Sequence, residues 1–480
     1  MSSNPTFVWI ISGKLLTEQL SIITLTSILE KSNINCKLIY SKPIKQILKE
    51  LTKINPVAVG YSIMYGSHRS YYEISRAIRT SFPHIYQIAG GPFTTFYNQC
   101  IEEFAVDAIA KGEADLTLPI LLQKIVRGED FSNSTGFIVK SNGKIHHNDL
   151  EYLPDDLDQF PFANREILYQ HDRLLKNQEF KSFISGRGCP YPCTYCFNHS
   201  FNKMYHGKGN IIRKKSAAYF VEELCETKAK YGMDYAIFED DIFVLNLTWL
   251  EEFRTIYKKR VGLPFICYVR PNLLTLDLAK TLKDCGCHII RMAIETGNEN
   301  LRRDLLKRGL SNQVIINAAD IVHQAGLKLS VSNMIALPSE SQETLEETLA
   351  LNVRCRPDHP TSQFFMPYPG MELTQIAIDR GYLDKDTWEK IPKNTWKYTP
   401  LSFDKEFKLH LSKFQKLFTL FVRYPATIRF RKILFLIPNT ALYYISLLIK
   451  IATVVNYFPK SKVSLAQKIA VFFRFFRYYS

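Results

Sequence analysis

Three cysteines lie within a span of eight residues, in the stretch SGRGCPYPCTYCFNHS (185–200). Cys189, Cys193 and Cys196 follow the spacing C-x3-C-x2-C, on a loop after the apolar run KSFIS. Thiolates at this spacing can converge on a small volume, and thiolate ligands favour zinc ions and iron–sulfur clusters. The N-terminal residues lack the pattern of a secretory signal, so we expect an intracellular protein whose cysteines stay reduced. Closely spaced cysteines then indicate metal binding or catalysis rather than disulfide bonds.

The number of ligands separates the two kinds of metal site. A structural zinc ion takes four protein ligands, so zinc would need His199, His206 or a distant cysteine besides the three thiolates. A [4Fe–4S] cluster is usually held by four thiolates, and a three-cysteine motif leaves one iron with an open coordination position where a substrate can bind. The residues favour such a cluster, with zinc and a chance grouping of cysteines as the alternatives.

The cysteines lie in a chain that alternates short β-branched runs with helical segments of about ten to fifteen residues. This alternation predicts βαβ units and hence an α/β fold with parallel sheets, in which functional side chains lie at the carboxyl ends of strands. We expect a doubly wound, Rossmann-like sheet, a linker rich in Pro and Asp, a partial or full α/β barrel, and a helical C-terminal extension. The predicted boundaries of these four segments are 1–150, 151–180, 181–385 and 386–480.

The positive charge of the protein is concentrated near its C-terminus. Of a net charge of +15, residues 401–480 carry +12, from fourteen Lys and Arg against Asp404 and Glu406. A nucleic-acid-binding protein of this charge usually shows a basic stripe with a recognition motif, and the first 400 residues contain none. We therefore expect no nucleic-acid partner.

An apolar stretch at 432–460 lies between basic residues in this extension. It approaches the length of a membrane span, but Pro438, Asn439 and Lys450 interrupt it. A helix lying on an anionic membrane surface fits this pattern, and so does a helix that caps the barrel. The sequence thus predicts a cytoplasmic protein and leaves open whether it is peripheral at the inner face of the membrane.

The cysteine motif, with Tyr195 directly before its third cysteine, resembles the cluster loop of the radical S-adenosylmethionine (SAM) superfamily. The resemblance implies that Cys189, Cys193 and Cys196 hold a [4Fe–4S] cluster and that the open iron binds SAM, with Tyr195 beside the cofactor. In that family an electron from the cluster cleaves SAM to a 5′-deoxyadenosyl radical. The resemblance therefore also implies an electron donor of the flavodoxin or ferredoxin type.

Residues at later strand ends extend the resemblance. The segment FEDDIF places Glu239, Asp240 and Asp241, and the segment CYVRPN places Arg270, where the family holds the methionine end of SAM. The segment AIETGNENLRR resembles the family's GxESG strand, which implies that Glu295 contacts the methionine or ribose part.

The segment NMIALPSE (333–340) resembles the family's GxIxGLPGE segment, which lines the adenine of SAM. Asn333, Ala336 and Ser339 stand where that pattern has glycines. These departures leave the adenine contacts open.

Three strand ends in the N-terminal region resemble the cobalamin-binding domain that precedes many radical SAM domains. They are VGYSIMYGS (59–67), IAGGPFTT (88–95) and VDAIAKGEADLTL (106–118). The resemblance implies that Gly60, Gly90 and Gly91 let a bulky ligand approach the backbone. It also implies that Ser62 binds the nucleotide tail of cobalamin.

The histidine that coordinates cobalt in other cobalamin domains has no counterpart here. It belongs to a D-x-H-x-x-G segment after the first strand, where this chain has ISGKLLTEQLS (11–21). His68 lies on a different loop and is predicted to be an ordinary surface or loop residue. The pattern resembles the subgroup whose cobalt has no histidine ligand, and it also permits a domain that has lost cobalamin.

The order of the domains resembles the subgroup with the anaerobic magnesium-protoporphyrin monomethyl ester cyclase and many cobalamin-dependent methylases. The resemblance implies radical methylation of an unactivated carbon of a small-molecule substrate, with a cyclisation or an oxidative rearrangement as the alternative. Methylthiotransferases need three further cysteines in the N-terminal domain, where only Cys36 and Cys100 occur. A membrane-docked cobalamin or metal sensor is the non-enzymatic alternative.

Overall fold

The structure is a computed structural model that describes residues 4–384, 398–455, 457, 458 and 474. Its strands are β1 (Thr6–Ile11), β2 (Asn35–Tyr40), β3 (Ala58–Ser62), β4 (Tyr86–Gly90), β5 (Ala108–Ala110), β6 (Phe137–Ser141), β7 (Lys144–His147), β8 (Phe180–Phe183), β9 (Gly186–Arg187), β10 (Arg213–Lys214), β11 (Tyr235–Phe238), β12 (Phe265–Tyr268), β13 (Cys287–Glu295), β14 (Lys328–Ile335) and β15 (His359–Phe364).

The α-helices are α1 (Leu20–Lys31), α2 (Ile44–Ile54), α3 (His68–Ser81), α4 (Pro92–Phe96), α5 (Cys100–Glu103), α6 (Thr117–Arg127), α7 (Glu166–Tyr169), α8 (Arg173–Lys176), α9 (Phe197–Met204), α10 (Ala217–Tyr231), α11 (Leu247–Arg260), α12 (Leu276–Cys285), α13 (Asn312–Gln324), α14 (Gln342–Cys355), α15 (Glu372–Asp379), α16 (Lys405–Arg423), α17 (Arg431–Leu434) and α18 (Asn439–Val455). Side-chain caps fix where the helices of the second half begin, because each accepts a backbone N–H of the first turn. The capping residues of α10 to α14 are Ser216, Asn246, Thr275, Ser311 and Ser341.

The N-terminal sheet has the order β2-β1-β3-β4-β5-β6-β7, and its first five strands are parallel. The central strands are almost wholly apolar because both faces are buried: one face packs on the side of α1 and α6, and the other on that of α2 and α3. The predicted doubly wound, Rossmann-like sheet is therefore confirmed.

The second sheet has six parallel strands in the order β15-β14-β13-β12-β11-β8. One face packs on α10 to α13 through a large cluster that includes Phe238, Phe253 and Phe265. The opposite face lines the lumen of a partial α/β barrel, as predicted.

Tyr457 and Phe458 close this lumen at the amino-terminal ends of the strands. They pack against Tyr235, Ile237 and Ile266, with Ile289 and Phe180 in the same apolar cluster. The ring of Tyr457 also stacks on His359, with 4.7 Å between the ring centroids. We call this group the lumen floor.

The connecting segment (151–180) contributes buried residues to the core, whereas its Pro and Asp content predicts a linker rather than core. Leu157 and Phe160 pack with Ile28 of α1, while Leu168 and Leu175 join the apolar cluster of the first sheet. The Pro and Asp content suggested an exposed tether, but the apolar residues between them are buried against the first sheet. The domain boundaries themselves stay a prediction.

The first described helix of the C-terminal extension caps the barrel. Helix α16 packs across α14 and β15 and buries Leu411, Phe414 and Phe418 with other residues of one face. Residues 385–397 and most residues after Phe458 lie outside the described residues. Within the described chain, none of the helices has both the length and the apolar content needed to span a bilayer.

Candidate active site at the barrel mouth

The cysteine loop connects β8 to α9 at the carboxyl ends of the barrel strands. Cys193 is buried, Cys189 and Cys196 are partly buried, and Cys196 immediately precedes α9. Burial raises the pKa of the Cys196 thiol to about 12, and Asp241, Cys193 and Cys189 add to this effect. Burial likewise raises the pKa of Cys189, again with contributions from Asp241 and Cys193. The Cys189 and Cys196 thiols therefore share one electrostatic environment, in which a cationic partner would favour their ionisation.

Two guanidinium groups meet at the sulfur of Cys193. The Nη1 atoms of Arg270 and Arg308 each donate to Cys193 Sγ at 3.9 Å. The Arg270 guanidinium also lies over the ring of Tyr191, 3.7 Å from its centroid. The structure thus places the predicted Arg270 beside the cysteines and adds Arg308, which the sequence analysis did not identify.

Glu295 and Tyr195 are in direct contact at the end of β13. The Tyr195 hydroxyl donates to Glu295 Oε1 at 2.8 Å, and Arg308 Nη1 donates to the same hydroxyl at 3.4 Å. Burial raises the pKa of Glu295, while the charge of Arg308 opposes this shift. Glu295 has φ +71°, a left-handed conformation that is strained for a residue with a Cβ and is typical of functional sites. The two predicted cofactor residues therefore lie in one network beside Cys193.

The two predicted aspartates have different surroundings. Asp240 is buried and accepts the backbone N–H and the hydroxyl of Ser185, and Lys214 donates to it at 3.4 Å. Its carboxylate therefore fixes the start of the cysteine loop. Asp241 is exposed, lies beside the cysteines and, with Asp240, lines a cavity of about 770 Å³ next to the loop. Glu239 lies directly before this pair, with its carboxylate 3.4 Å from the Ser182 hydroxyl.

An ion network fastens the cysteine loop to the N-terminal sheet. Arg187, two residues before Cys189, donates to both carboxylate oxygens of Asp115 at 2.8 and 2.9 Å and to Glu113 at 2.7 Å. Arg213, on the strand paired with Arg187, also donates to Glu113. Glu113 and Asp115 follow β5, so the carboxyl edge of the first sheet faces the cysteine loop. The sequence of this segment predicts a strand end and carries no local signal for these ion pairs.

A second buried ion pair fastens the loop after β1 to the edge of the barrel. The Glu18 carboxylate accepts from Arg165, from the Tyr169 hydroxyl and, at 2.9 Å, from the backbone N–H of Ser182 in β8. Arg165 in turn donates to the Ser182 carbonyl at 2.7 Å. This is the loop in which a cobalt-coordinating histidine would be expected. Here its Glu18 instead accepts a backbone N–H from β8, which is an edge strand of the second sheet.

The N-terminal residues predicted to face a ligand differ in position: some lie at the carboxyl edge of the sheet, and one lies inside a strand. Gly60 lies in the middle of β3, and a Cβ there would be 2.3 Å from the ring of Phe7. Gly60 therefore makes room for core packing, and the prediction that it ends a strand was wrong. Gly91 follows β4 with φ +97°, and a Cβ there would be 2.7 Å from the Ile63 carbonyl, so the turn itself requires glycine.

Gly90 and Ser62 do lie at the carboxyl edge of the first sheet. A Cβ on Gly90 would make only an ordinary contact, 3.4 Å from Ala110 Cβ, so this part of the edge is open. The Ser62 hydroxyl lies 3.2 Å from that of Ser21.

His68 begins α3 at the same edge and is not an ordinary surface residue. Its ring stacks on Phe93, 4.5 Å between centroids, and its Nδ1 accepts the backbone N–H of Gly66 at 3.3 Å. Burial lowers the pKa of His68 to about 4, so its imidazole is neutral near pH 7. The prediction failed because the stacking partner, Phe93, lies in α4, and no short spacing in the sequence pairs it with His68.

The profile of the Radical SAM superfamily matches residues 183–351. These residues form a radical SAM domain. The match begins at the end of β8 and includes the cysteine loop, Arg270, Glu295 and Arg308. It confirms the family expected from the sequence and identifies the protein as an enzyme.

Curated relatives of the chain include methyltransferases and a cyclase. An uncharacterized methyltransferase of Pyrococcus horikoshii is 25% identical over 72% of this chain and 74% of its own length. The cytidylyl-2-hydroxyethylphosphonate methyltransferase of Streptomyces wedmorensis is 20% identical over 73% and 72%. The anaerobic magnesium-protoporphyrin IX monomethyl ester cyclase of Rubrivivax gelatinosus is 22% identical over 70% of this chain and 61% of its own.

Two solved structures share the fold over most of this chain. The radical SAM methyltransferase TsrM from Kitasatospora setae, with cobalamin and a [4Fe–4S] cluster bound, superposes with a TM-score of 0.66 at 15% identity, over 78% of each chain. The cobalamin-dependent radical SAM enzyme OxsB, with aqua-cobalamin and SAM bound, gives 0.61 at 19% identity, over 80% of this chain and 56% of its own. At these identities the likeness shows the fold.

The residues of the radical SAM domain suit a thiolate-bound cluster in their chemistry. Three partly or fully buried thiols share one loop, and two guanidinium groups at Cys193 supply donors and positive charge that would offset the anionic sulfurs. Within the described ranges, no three His, Cys, Asp or Glu side chains already surround a common point at ligand distance.

The segment predicted to line the adenine of SAM (333–340) has positive φ angles at two positions where the family pattern has glycines. Ala336 has φ +61° and Ser339 has φ +70°, both in the left-handed region. The buried carboxylate of Glu340 accepts the backbone N–H groups of Ala336 and Leu337, which holds this turn in place. The fold therefore preserves the conformation that glycines adopt without strain.

Proposed function

We propose that the protein is a cobalamin-dependent radical SAM methylase, with a [4Fe–4S] cluster held by Cys189, Cys193 and Cys196. The observation that carries the proposal is the network in which Arg270 and Arg308 both donate to Cys193 while Tyr195 joins Glu295 to Arg308. When bound, the cluster, SAM and cobalamin would supply a 5′-deoxyadenosyl radical and a transferable methyl group. An electron donor of the flavodoxin or ferredoxin type would reduce the cluster.

The chain's own residues would have distinct roles in this reaction. The buried Glu295, held by Tyr195, offers an acceptor for the hydroxyl or ammonium groups of SAM. Arg270 and Arg308 would hold the sulfur side of the cluster and keep its charge compensated. Asp240 would position the loop through Ser185, and Asp241 would present a carboxylate at the cavity.

Cobalamin would bind at the carboxyl edge of the N-terminal sheet, beside Gly90 and Gly91. Support comes from the ion network of Glu113 and Asp115, which brings that edge to face the cysteine loop. The loop after β1 contains no histidine and is engaged through Glu18, so we expect no ligand from that loop on cobalt.

Anaerobic reconstitution with iron, sulfide, cobalamin and SAM tests the proposal. We expect about four irons and four sulfides per chain, and formation of both 5′-deoxyadenosine and S-adenosylhomocysteine with a competent substrate, measured by mass spectrometry. Replacing the three cysteines by Ala should abolish cluster and products, whereas Cys225→Ala, outside the motif, should retain both. Stoichiometric zinc without sulfide would contradict the proposal.

A radical cyclisation or oxidative rearrangement is the second candidate, since one of the relatives is a cyclase. In that reaction 5′-deoxyadenosine forms without S-adenosylhomocysteine. The same mass spectra therefore separate the two candidates.

A further inference from the structure

The outer face of α18 is apolar where a surface helix is normally polar. Ala441, Tyr444, Ile445, Leu448 and Ala452 are exposed and follow the three- and four-residue spacing of one helical face. The opposite side packs on α16 through the buried Leu442. A helix in water normally places its polar residues outward, so α18 has the reverse of the usual pattern.

The segment before α18 extends this apolar surface. Tyr424, Phe430, Ile433 and Leu436 are exposed, Ile433 by 64% and Leu436 by 81%. Seven of the seventeen large hydrophobic side chains exposed in the described chain thus fall between residues 424 and 448. We call this set, with the outer face of α18, the apolar patch. Such a concentration marks a surface that meets another phase or partner.

The charges beside the apolar patch have one sign. Arg429 and Lys432 are exposed next to Ile433, and no Asp or Glu occurs anywhere in residues 407–480. Arg431 is instead engaged by Glu346. Exposed apolar side chains beside unopposed basic residues match an anionic lipid surface, where the apolar groups enter the acyl boundary and the cations bind headgroups.

We propose that the apolar patch docks the enzyme on an anionic membrane surface, with α18 lying in the plane of the interface. Helix α16 takes no part, because its apolar face is already buried against the barrel. The proposed contact is peripheral, and among the described helices none has the length and apolar content of a bilayer span. The proposal is independent of the reaction catalysed.

Point substitutions test this surface better than truncation. Removing residues after Arg423 would also remove Tyr457 and Phe458 from the lumen floor and disturb the barrel. The test variant is therefore Ile433→Glu with Leu436→Glu and Leu448→Glu, in the full chain. The matched control is Ile120→Glu, because Ile120 is 52% exposed on α6, away from the patch.

Co-sedimentation compares vesicles of phosphatidylcholine alone with vesicles that also contain phosphatidylglycerol. We expect wild type and the Ile120→Glu control to bind the anionic vesicles at low salt, and the triple variant to bind at least about tenfold more weakly. Lys432→Gln with Arg429→Gln should weaken binding to anionic vesicles and reduce its salt dependence. Circular dichroism should show the same folded content in all variants.

A second measurement locates the patch directly. The fluorescence of a Tyr444→Trp variant should shift to the blue with anionic vesicles and be quenched by brominated acyl chains. Equal vesicle binding by wild type and the triple variant, or no binding at low salt, would overturn the proposal. So would light scattering that shows a dimer for wild type and a monomer for the triple variant without vesicle binding, since the patch would then join two copies of the chain.

Discussion

We expect Glu18→Ala to destabilise the protein by about 3–5 kcal/mol, the usual cost of removing one partner of a buried ion pair. The Glu18 and Arg165 side chains are only 3% and 2% exposed, so water cannot replace the lost carboxylate. The substitution leaves the Arg165 guanidinium without its counterion. It also leaves the backbone N–H of Ser182 without its acceptor, which separately costs about 1–3 kcal/mol in a buried site.

The pH dependence of this effect has a definite sign. Burial raises the pKa of Glu18, but the charge and hydrogen bonds of Arg165, with those of Tyr169 and Ser182, outweigh burial and hold the pKa below its usual value. A carboxyl whose pKa is lowered by folding stabilises the protein above its unfolded pKa of about 4.3. The difference in stability between wild type and variant should therefore be complete at neutral pH. It should shrink as the pH falls through the lower, folded pKa.

Urea denaturation of the full chain, followed by circular dichroism, measures the loss. Hydrogen exchange at the Ser182 amide reports the same site locally and should become much faster in the variant. Glu251→Ala is the control, because Glu251 forms an exposed ion pair with Arg254 and should have little effect on unfolding. An unchanged urea midpoint of unfolding together with a protected Ser182 amide in Glu18→Ala would refute the stabilising role of the Glu18–Arg165 ion pair.

Three further outcomes follow from the structure. Arg308→Gln should lower the reduction potential of the reconstituted cluster, because a positive charge beside Cys193 stabilises the reduced, more negative state; a redox titration with an unchanged potential would contradict this. Gly60→Ala should cost about 1–3 kcal/mol in thermal or urea unfolding because its Cβ would overlap the Phe7 ring, whereas Gly90→Ala should be tolerated. The cob(II)alamin form should show no nitrogen superhyperfine splitting in electron paramagnetic resonance; a splitting that His68→Ala removes would assign that imidazole to cobalt.

Features with a local signal in the sequence could be predicted. Short spacings along the chain reveal the three cysteines and the strand ends at Arg270 and Glu295. The periodicity of the apolar residues reveals the alternation of strands and helices. The structure brings Tyr195 and Glu295 together although 100 residues separate them, because both belong to segments whose ends meet at the barrel mouth.

Other features depend on contacts that no short window contains. Arg308 reaches Cys193 across 115 residues, and Arg187 reaches Glu113 across 74, with no local pattern to pair them. Gly60 was misassigned because a glycine in a predicted strand suits the close approach of a ligand and a crowded core equally well. The core contribution of the connecting segment was missed because its many prolines and aspartates indicate a linker, although the few apolar residues between them are buried.

The lumen floor has a consequence for how the protein is made. Strand β15 ends at Phe364, and the two residues that close the lumen follow about 90 residues later, at Tyr457 and Phe458. At about 5–20 residues per second, their synthesis comes roughly 5 to 20 s after the last strand. A ribosome-bound chain can thus complete all six strands and the cysteine loop while the opposite end of its barrel still admits solvent.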